Sequence, residues 1–514
     1  MRRRLSALIV AAIFPLVAAS AQTKTNNDAN SSAKENSSSA AVRSNTKTAT
    51  AAKLSTAEKS VTRYAISPVS AKSSDAANAA AQDTDENQPP LSFKVGGADF
   101  TPVGFLDFTT VYRSTNVGSG IGTSFGSIPF NGSSPAGRLS ETRFSAQNSR
   151  IGLRVDANPS ANLKLTGYLE ADFLGNAPGN LEVTSHSDTL HMRLYWVDAH
   201  YGKWEFLGGQ SWSMMTPNRK GISPMPSDIF YTQDMDTNYQ AGLVWLRTPG
   251  FRVVYHADDR WTLGLALDDP EQFTGGLVIL PAGFNAAQVD DSGGNAKTPN
   301  AAPDVIAQIA YDTSLGSHAF HIEAAGLYRA FRLNTAATNA NVTRSGGGGS
   351  VNVNFEIVKN LRLMGTSFWS DGGGRYIFGL GPDFVVKTDA AGNFIPSPLH
   401  AGAGIGGFEY QLIPQTMIYG YYGASYFGRD FQEVAAGSPP PFVGYGFAGS
   451  NSSQNRTIQE GTVGLIETLE KSQLRRFEDH HPSFLPFTQS MVECRYSCWG
   501  KERASRHGFC GPAV

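Results

Sequence analysis

Charged residues in the middle of this chain recur at every second position. Arg150, Arg154 and Asp156 share one parity, while Ile151, Leu153 and Val155 occupy the other. The next segment repeats the pattern: Lys164, Thr166, Tyr168, Glu170 and Asp172 alternate with Leu163, Leu165, Gly167, Leu169, Ala171 and Phe173. A period of two places each set on its own face of a β-strand. If the apolar set meets lipid, the charged set faces a lumen, because a basic side chain on a lipid face costs about 2–4 kcal/mol at the bilayer midplane. Arg193, Arg252 and Arg362 fall on the corresponding faces of later segments. Such residues can line a wall, where a solvated position or a salt bridge would give the same pattern. Facing acidic loop residues, a row of arginines would create a transverse field that favours polar and charged solutes. Guanidinium pairs well with carboxylate and phosphate, so the arginines point toward anions.

Other chemistries find little support. There is no G-x-S-x-G elbow and no H-E-x-x-H pair, and His186, His191, His200, His256, His318 and His321 are scattered. His318 and His321 closely follow an expected turn and read as surface residues. Cys494, Cys498 and Cys510, with His480 and His481 upstream, lack zinc spacing. No catalytic residue, metal or cofactor is therefore expected. A net charge of −2 and a pI of about 6.6 give no reason to expect nucleic acid as a partner. Lipid and small polar solutes are the expected partners.

The elements that position these residues are strands. The run Leu163 to Phe173 is about eleven residues long, the length a tilted strand needs to cross a bilayer and beyond the usual soluble length of about five or six. Fourteen candidates are expected near 101–113, 147–157, 161–174, 190–201, 203–212, 241–256, 261–268, 303–313, 317–331, 351–358, 361–370, 402–411, 415–427 and 456–469. Their connections alternate in length. Asn158-Pro159-Ser160, Gly202, Ala257 to Arg260, Ser314 to Gly316, Lys359-Asn360 and Ile413-Pro414 are short. The intervening stretches, near 114–146, 175–189, 213–240, 269–302, 332–350, 371–401 and 428–455, are long. Short turns at one end and long loops at the other imply an all-β fold: a transmembrane antiparallel β-barrel with periplasmic turns and extracellular loops. The sequon at Asn341 and the run Ser345 to Ser350 fit an exposed loop. Tyr112, Trp196, Trp204, Tyr255, Trp261, Trp369, Tyr419, Tyr421 and Tyr426 are expected at strand ends or outer faces, as interfacial girdles.

The ends of the chain differ from its middle. Residues 1–21 have the basic, apolar and small-residue regions of a cleaved signal peptide. Residues 22–90, rich in Ala, Ser and Thr, have almost nothing to bury and read as a disordered periplasmic extension. The barrel is expected over 91–469. Residues 470–514 lose the alternation and hold all three cysteines. This tail reads as aberrant and unable to close a barrel. Synonymous codons for residues 469–481 can be chosen so that a one-nucleotide shift spells a turn and a strand, so the tail is expected to be out of frame, with about two strands missing from an intact barrel of about sixteen.

Three segments carry a resemblance: Ser149 to Val155, Gly167 to Phe173, and Leu207 to Ser213. With Arg252 to Tyr255 and Trp261 to Pro270, they make the chain resemble the DcaP-like outer-membrane porins over roughly 100–469. The resemblance implies a sixteen-stranded homotrimeric porin in the outer membrane of a Gram-negative-type bacterium, passing small solutes without catalysis. It also implies a loop folded into the lumen. The third long loop is the candidate, and its Arg219, Lys220, Asp228, Asp234 and Asp236 would form the constriction. A β-protein serving as a binding or adhesion surface, without transport, is the alternative.

Overall fold

The computed structural model describes residues 92–468, except 117–119, 123–134, 176–187, 226–239, 276–277, 290–299, 380, 435–440 and 448–454, together with the strand Gln489–Tyr496. The expected signal peptide and extension, and the rest of the tail after Leu469, lie outside the described residues. So do Asp228, Asp234 and Asp236.

Strands follow one another almost without interruption. They are β1 (Phe93–Val95), β2 (Ala98–Phe105), β3 (Thr109–Arg113), β4 (Glu141–Ser145), β5 (Arg150–Ser160), β6 (Leu163–Asp172), β7 (His191–Tyr201) and β8 (Trp204–Trp212). Next come β9 (Arg247–His256), β10 (Trp261–Asp268), β11 (Asp304–Leu315), β12 (His318–Thr335), β13 (Ala340–Val358) and β14 (Leu361–Asp371). The chain continues through β15 (Phe384–Thr388), β16 (Phe394–Pro398), β17 (His400–Gln411), β18 (Thr416–Phe427), β19 (Asp430–Glu433), β20 (Phe442–Tyr445), β21 (Thr457–Thr468) and β22 (Gln489–Tyr496). Sixteen of them form one sheet in the order β1-β2-β5-β6-β7-β8-β9-β10-β11-β12-β13-β14-β17-β18-β21-β22, antiparallel throughout. The remaining six pair as hairpins within long loops: β3 with β4, β15 with β16, and β19 with β20.

All fourteen expected sheet strands are present, with several corrections. The first candidate breaks after Phe105, and its second half turns away as β3. The stretch expected as a loop at 332–350 is mostly strand, because β12 and β13 run on to a tight turn where Asn339 takes a φ of 53°. Gly346 to Gly349 lie inside β13, where a Cβ on Gly347 would come within 2.6 Å of the Leu327 carbonyl oxygen. Here glycine permits close strand pairing and does not mark a loop. The tail, expected to be aberrant and unable to close a barrel, supplies β22, which pairs antiparallel with β21 from Gly461↔Tyr496 to Thr468↔Gln489, while no pairing of β22 with β1 is present among the described residues. The strands beyond the expected fourteen are thus β1 and β22, one at each end of the sheet.

Alternation sorts the side chains of the sheet onto two faces. Along β10, Trp261, Leu263, Leu265 and Leu267 are exposed, while Thr262, Ala266 and Asp268 are buried. Leu169, Val197, Phe206, Phe251, Ile309, Tyr328, Val351, Leu363, Phe408, Tyr422 and Val463 continue the exposed apolar face around the sheet. So continuous an apolar surface needs an apolar surrounding. A charge in its centre is expected to be costly: Leu265→Arg should lower the free energy of folding into phospholipid vesicles by about 2–4 kcal/mol, measured by urea titration. The same substitution at exposed Lys164 of the other face should change it little.

Aromatics rim this outer face. Trp204 packs on Tyr255 at 4.7 Å and Trp261 on Tyr311 at 4.5 Å, near the short turns. Trp369 and Tyr426 are exposed near the long-loop ends of their strands, and Tyr112 is exposed on β3. Trp196, Tyr419 and Tyr421, expected outside, are instead buried on the inner face.

Candidate functional site

The inner face is built of ion pairs. On β5, Arg150 is buried with Nη1 3.8 Å from Glu170 Oε1, and Arg154 donates to Asp156 at 2.6 and 3.0 Å. On β6, Tyr168 donates its hydroxyl to Glu170, and Thr166 donates to Asp156. Arg193 bridges Glu170 and Asp172, each at 2.7 Å. Strict alternation would send Arg193 outward with Tyr195 and Val197. It turns inward because β7 bulges there: Glu170 faces Leu194, the next residue Ala171 faces Met192, and Arg193 is the extra residue between them. Arg252 donates to Glu205 at 3.1 Å, and Arg362 lies 3.8 Å from Glu409. Lys164 is exposed on the same face, beside His200.

The charged residues singled out in the sequence therefore share one face, but the arginines do not stand as a bare ladder. Each has a carboxylate. The acids that hold several of them, Glu205 and Glu409, escaped sequence reasoning, although their parity in Trp204-Glu205-Phe206 and Phe408-Glu409-Tyr410 marks them as inward. His321, read as a surface residue, is buried between Asp312 at 2.9 Å and Glu323 at 3.3 Å.

The chain after β8 crosses this inner face. Met214 packs where Gly264 of β10 leaves room: a Cβ there would meet the Met214 methyl at 2.4 Å. Asn218 donates its backbone N–H to Glu323 of β12 and accepts at its carbonyl from Asn352 of β13. Arg219 then reaches Glu409 of β17 with two hydrogen bonds, at 2.6 and 2.9 Å, and the Gly221 N–H donates to Asp312 of β11. Lys220 is exposed.

The segment reappears at Gln240, buried against Glu460 and the Thr462 hydroxyl of β21. Gly242, at a φ of 99°, passes β17 and β18 so closely that a Cβ would lie 2.2 Å from the Gly404 carbonyl oxygen. Residues 241–246, expected as the start of a strand, belong to this crossing. Leu243 accepts a hydrogen bond from the Phe378 N–H, and the Trp245 N–H donates to the Tyr376 carbonyl. A segment that starts at β8 and touches β10, β11, β12, β13, β17, β18 and β21 requires the sheet to curl around it.

The loop after β14 is tied down by a buried cluster. Arg329 of β12, fully buried, pairs with Asp304 at 2.9 Å and with Asp383 at 2.6 Å, and donates to the Gly372 carbonyl. The Tyr376 hydroxyl also donates to Asp304, and the Arg375 N–H to Asp383. Burial pushes the Asp383 carboxyl up to about 6 against the opposing pull of Arg329 and Arg375. An acid whose folded pKa exceeds its unfolded value stabilises the fold fully below the unfolded value, and that contribution fades as pH rises through the folded one. This group's own contribution should therefore fall by about 2–3 kcal/mol between about pH 4 and 6, and Asp383→Asn should remove it, so that the difference in stability between native and variant changes across this range in urea titrations.

No family model and no curated protein matches the sequence. Solved structures do match the fold. The outer membrane channel DcaP of Acinetobacter baumannii superposes with a TM-score of 0.54 at 18% identity, covering 79% of this chain and 94% of that one. Salmonella typhi OmpF in complex with daunomycin gives a TM-score of 0.43 at 11% identity, over 80% and 94% of the two chains. Pseudomonas putida OprB at high pH gives 0.38 at 9%, over 71% and 85%. The likeness to the DcaP channel gives this chain the fold of an outer-membrane porin barrel.

Proposed function

We propose that this chain is an outer-membrane porin that passes small polar solutes by passive diffusion. The observation that carries the reading is the division of the sheet: an outer face of exposed apolar residues rimmed by aromatics, and an inner face of ion pairs crossed by residues 213–225 and 240–246. An apolar exterior suits a bilayer, and a polar interior suits water-borne solutes. The crossing segment, with Arg219 held on Glu409 and Lys220 exposed, is the constriction; Asp228, Asp234 and Asp236 belong to the same connection. The wall positions Arg150, Arg154, Asp156, Lys164, Tyr168, Glu170, Asp172, Arg193, Arg252 and Arg362 form its polar lining. Because each of these arginines is offset by a carboxylate, the lumen is a polar sieve in which any anion preference is weak.

The reading includes export by the basic and apolar N-terminal segment and assembly as a trimer. It does not include catalysis. Liposomes containing the purified protein should swell in isotonic solutions of small sugars, and more slowly as the sugar grows. Swelling no faster than that of protein-free liposomes, with protein shown to be inserted, would overturn the reading.

A further inference from the structure

Two histidines and two acids converge on the inner face at the short-turn end, where the ion pairs of the wall run out. His200 lies near the end of β7, Glu205 near the start of β8, and His256 ends β9. Register puts them together: His200 pairs directly with Glu205, and His256 is two residues beyond Val254, the partner of Glu205 on β9. His256 Nε2 is 3.2 Å and His200 Nε2 3.5 Å from the same oxygen, Glu205 Oε2. Asp198 Oδ2 lies 3.0 Å from His200 Nε2. The imidazoles stack with centroids 5.8 Å apart.

We propose that His200, His256 and Glu205 bind a divalent transition-metal ion of the zinc class, with Asp198 beside His200 adding negative charge to the site. Neighbouring ligand atoms around a tetrahedral ion with bonds near 2.0–2.1 Å stand about 3.3 Å apart; the two imidazole nitrogens lie 3.2 and 3.5 Å from Glu205 Oε2, and all three donor atoms are within 4.8 Å of one another. The donor set, two imidazoles and a carboxylate, suits such an ion.

Two further observations point the same way. Glu205 is already anchored, since its other oxygen accepts from Arg252 and leaves Oε2 for the ion. Asp198, whose Oδ2 lies against His200 Nε2, has its other oxygen Oδ1 buried with no hydrogen-bond partner among the described residues, so its charge favours a cation in this cluster. The two acids are buried, whereas the histidines are each a little over one-third exposed, so an ion can enter from the lumen. The nearby Lys164 would weaken the site without filling it.

Untagged full-length protein in detergent, titrated with zinc chloride by calorimetry, tests this. One zinc per chain is expected, with affinity reduced at least tenfold in His200→Ala and in His256→Ala. It should be unchanged in His400→Ala, which removes a His–Asp pair from another part of the sheet. No binding by the native chain, or equal loss in all three variants, would overturn the proposal. Should either His200 or His256 variant fail to show heat-modifiable migration, zinc-edge X-ray absorption on the native protein decides: two imidazole nitrogens near 2.0 Å support the site, and a shell without imidazole sinks it.

Discussion

Replacing residues 216–239 by a short Gly/Ser linker is expected to raise single-channel conductance roughly two- to threefold, because the narrowest lining of a pore sets its resistance. The expectation rests on the path of the segment. It begins at β8, is held by Glu323 and Asn352 midway, and clasps Glu409 through Arg219 on the opposite part of the sheet. The strand framework does not depend on it, since every neighbouring pair of sheet strands is hydrogen-bonded through its own backbone. The variant should therefore still insert and still migrate differently when heated. Arg219→Ala is a gentler form of the same change. It removes the bidentate clasp while sparing the Asn218 contacts, and should increase open-channel noise more than mean conductance. An unchanged conductance in the linker variant would mean that another part of the chain limits flow.

The second large effect is on stability. Arg329→Met should lower unfolding free energy by about 3–5 kcal/mol, the usual cost of removing one partner from a buried ion pair. Arg329 has no exposure to solvent and pairs with two buried acids, Asp304 and Asp383, so its loss strands both. It also releases the Gly372 and Glu271 carbonyls that it binds, which join the loops after β14 and β10 to the strand wall. The check is a urea titration of native and variant proteins in detergent. Adding Asp304→Asn and Asp383→Asn to Arg329→Met should recover part of the loss, because amides leave no charge behind. If the triple variant were as unstable as the single one, packing and not charge would hold the loop.

Much of this fold was legible in the strand periodicity, and what was not has identifiable causes. Strands such as β6 announce themselves because polar residues mark one face without interruption. The run Gly420-Tyr421-Tyr422-Gly423 carries no such mark, so nothing local tells that Tyr421 is buried and Tyr422 exposed. Residues 241–246 are apolar and strand-like because the crossing packs against wall aromatics such as Tyr419 and Tyr421, an environment as dry as a strand face. The Gly346 to Gly349 run was misread because the freedom that suits glycine to loops also lets adjacent backbones pack closely.

The site was legible only in part. The arginines could be assigned to the inner face, but their pairing depends on which acids the register brings alongside. Glu409 meets Arg219 across 190 residues of chain. The cluster of His200, Glu205 and His256 shows no recognisable spacing because three strands contribute one residue each.

On the porin reading proposed above, the polar face of this sheet encloses a continuous aqueous path. Single-channel recording of the purified full-length chain in a planar bilayer tests it directly. Discrete steps with a linear current–voltage relation are expected, and a salt gradient should shift the reversal potential only slightly, in keeping with the paired charges of the wall. Folded, inserted protein that gives no steps would contradict the claim and favour a role as a binding or adhesion surface.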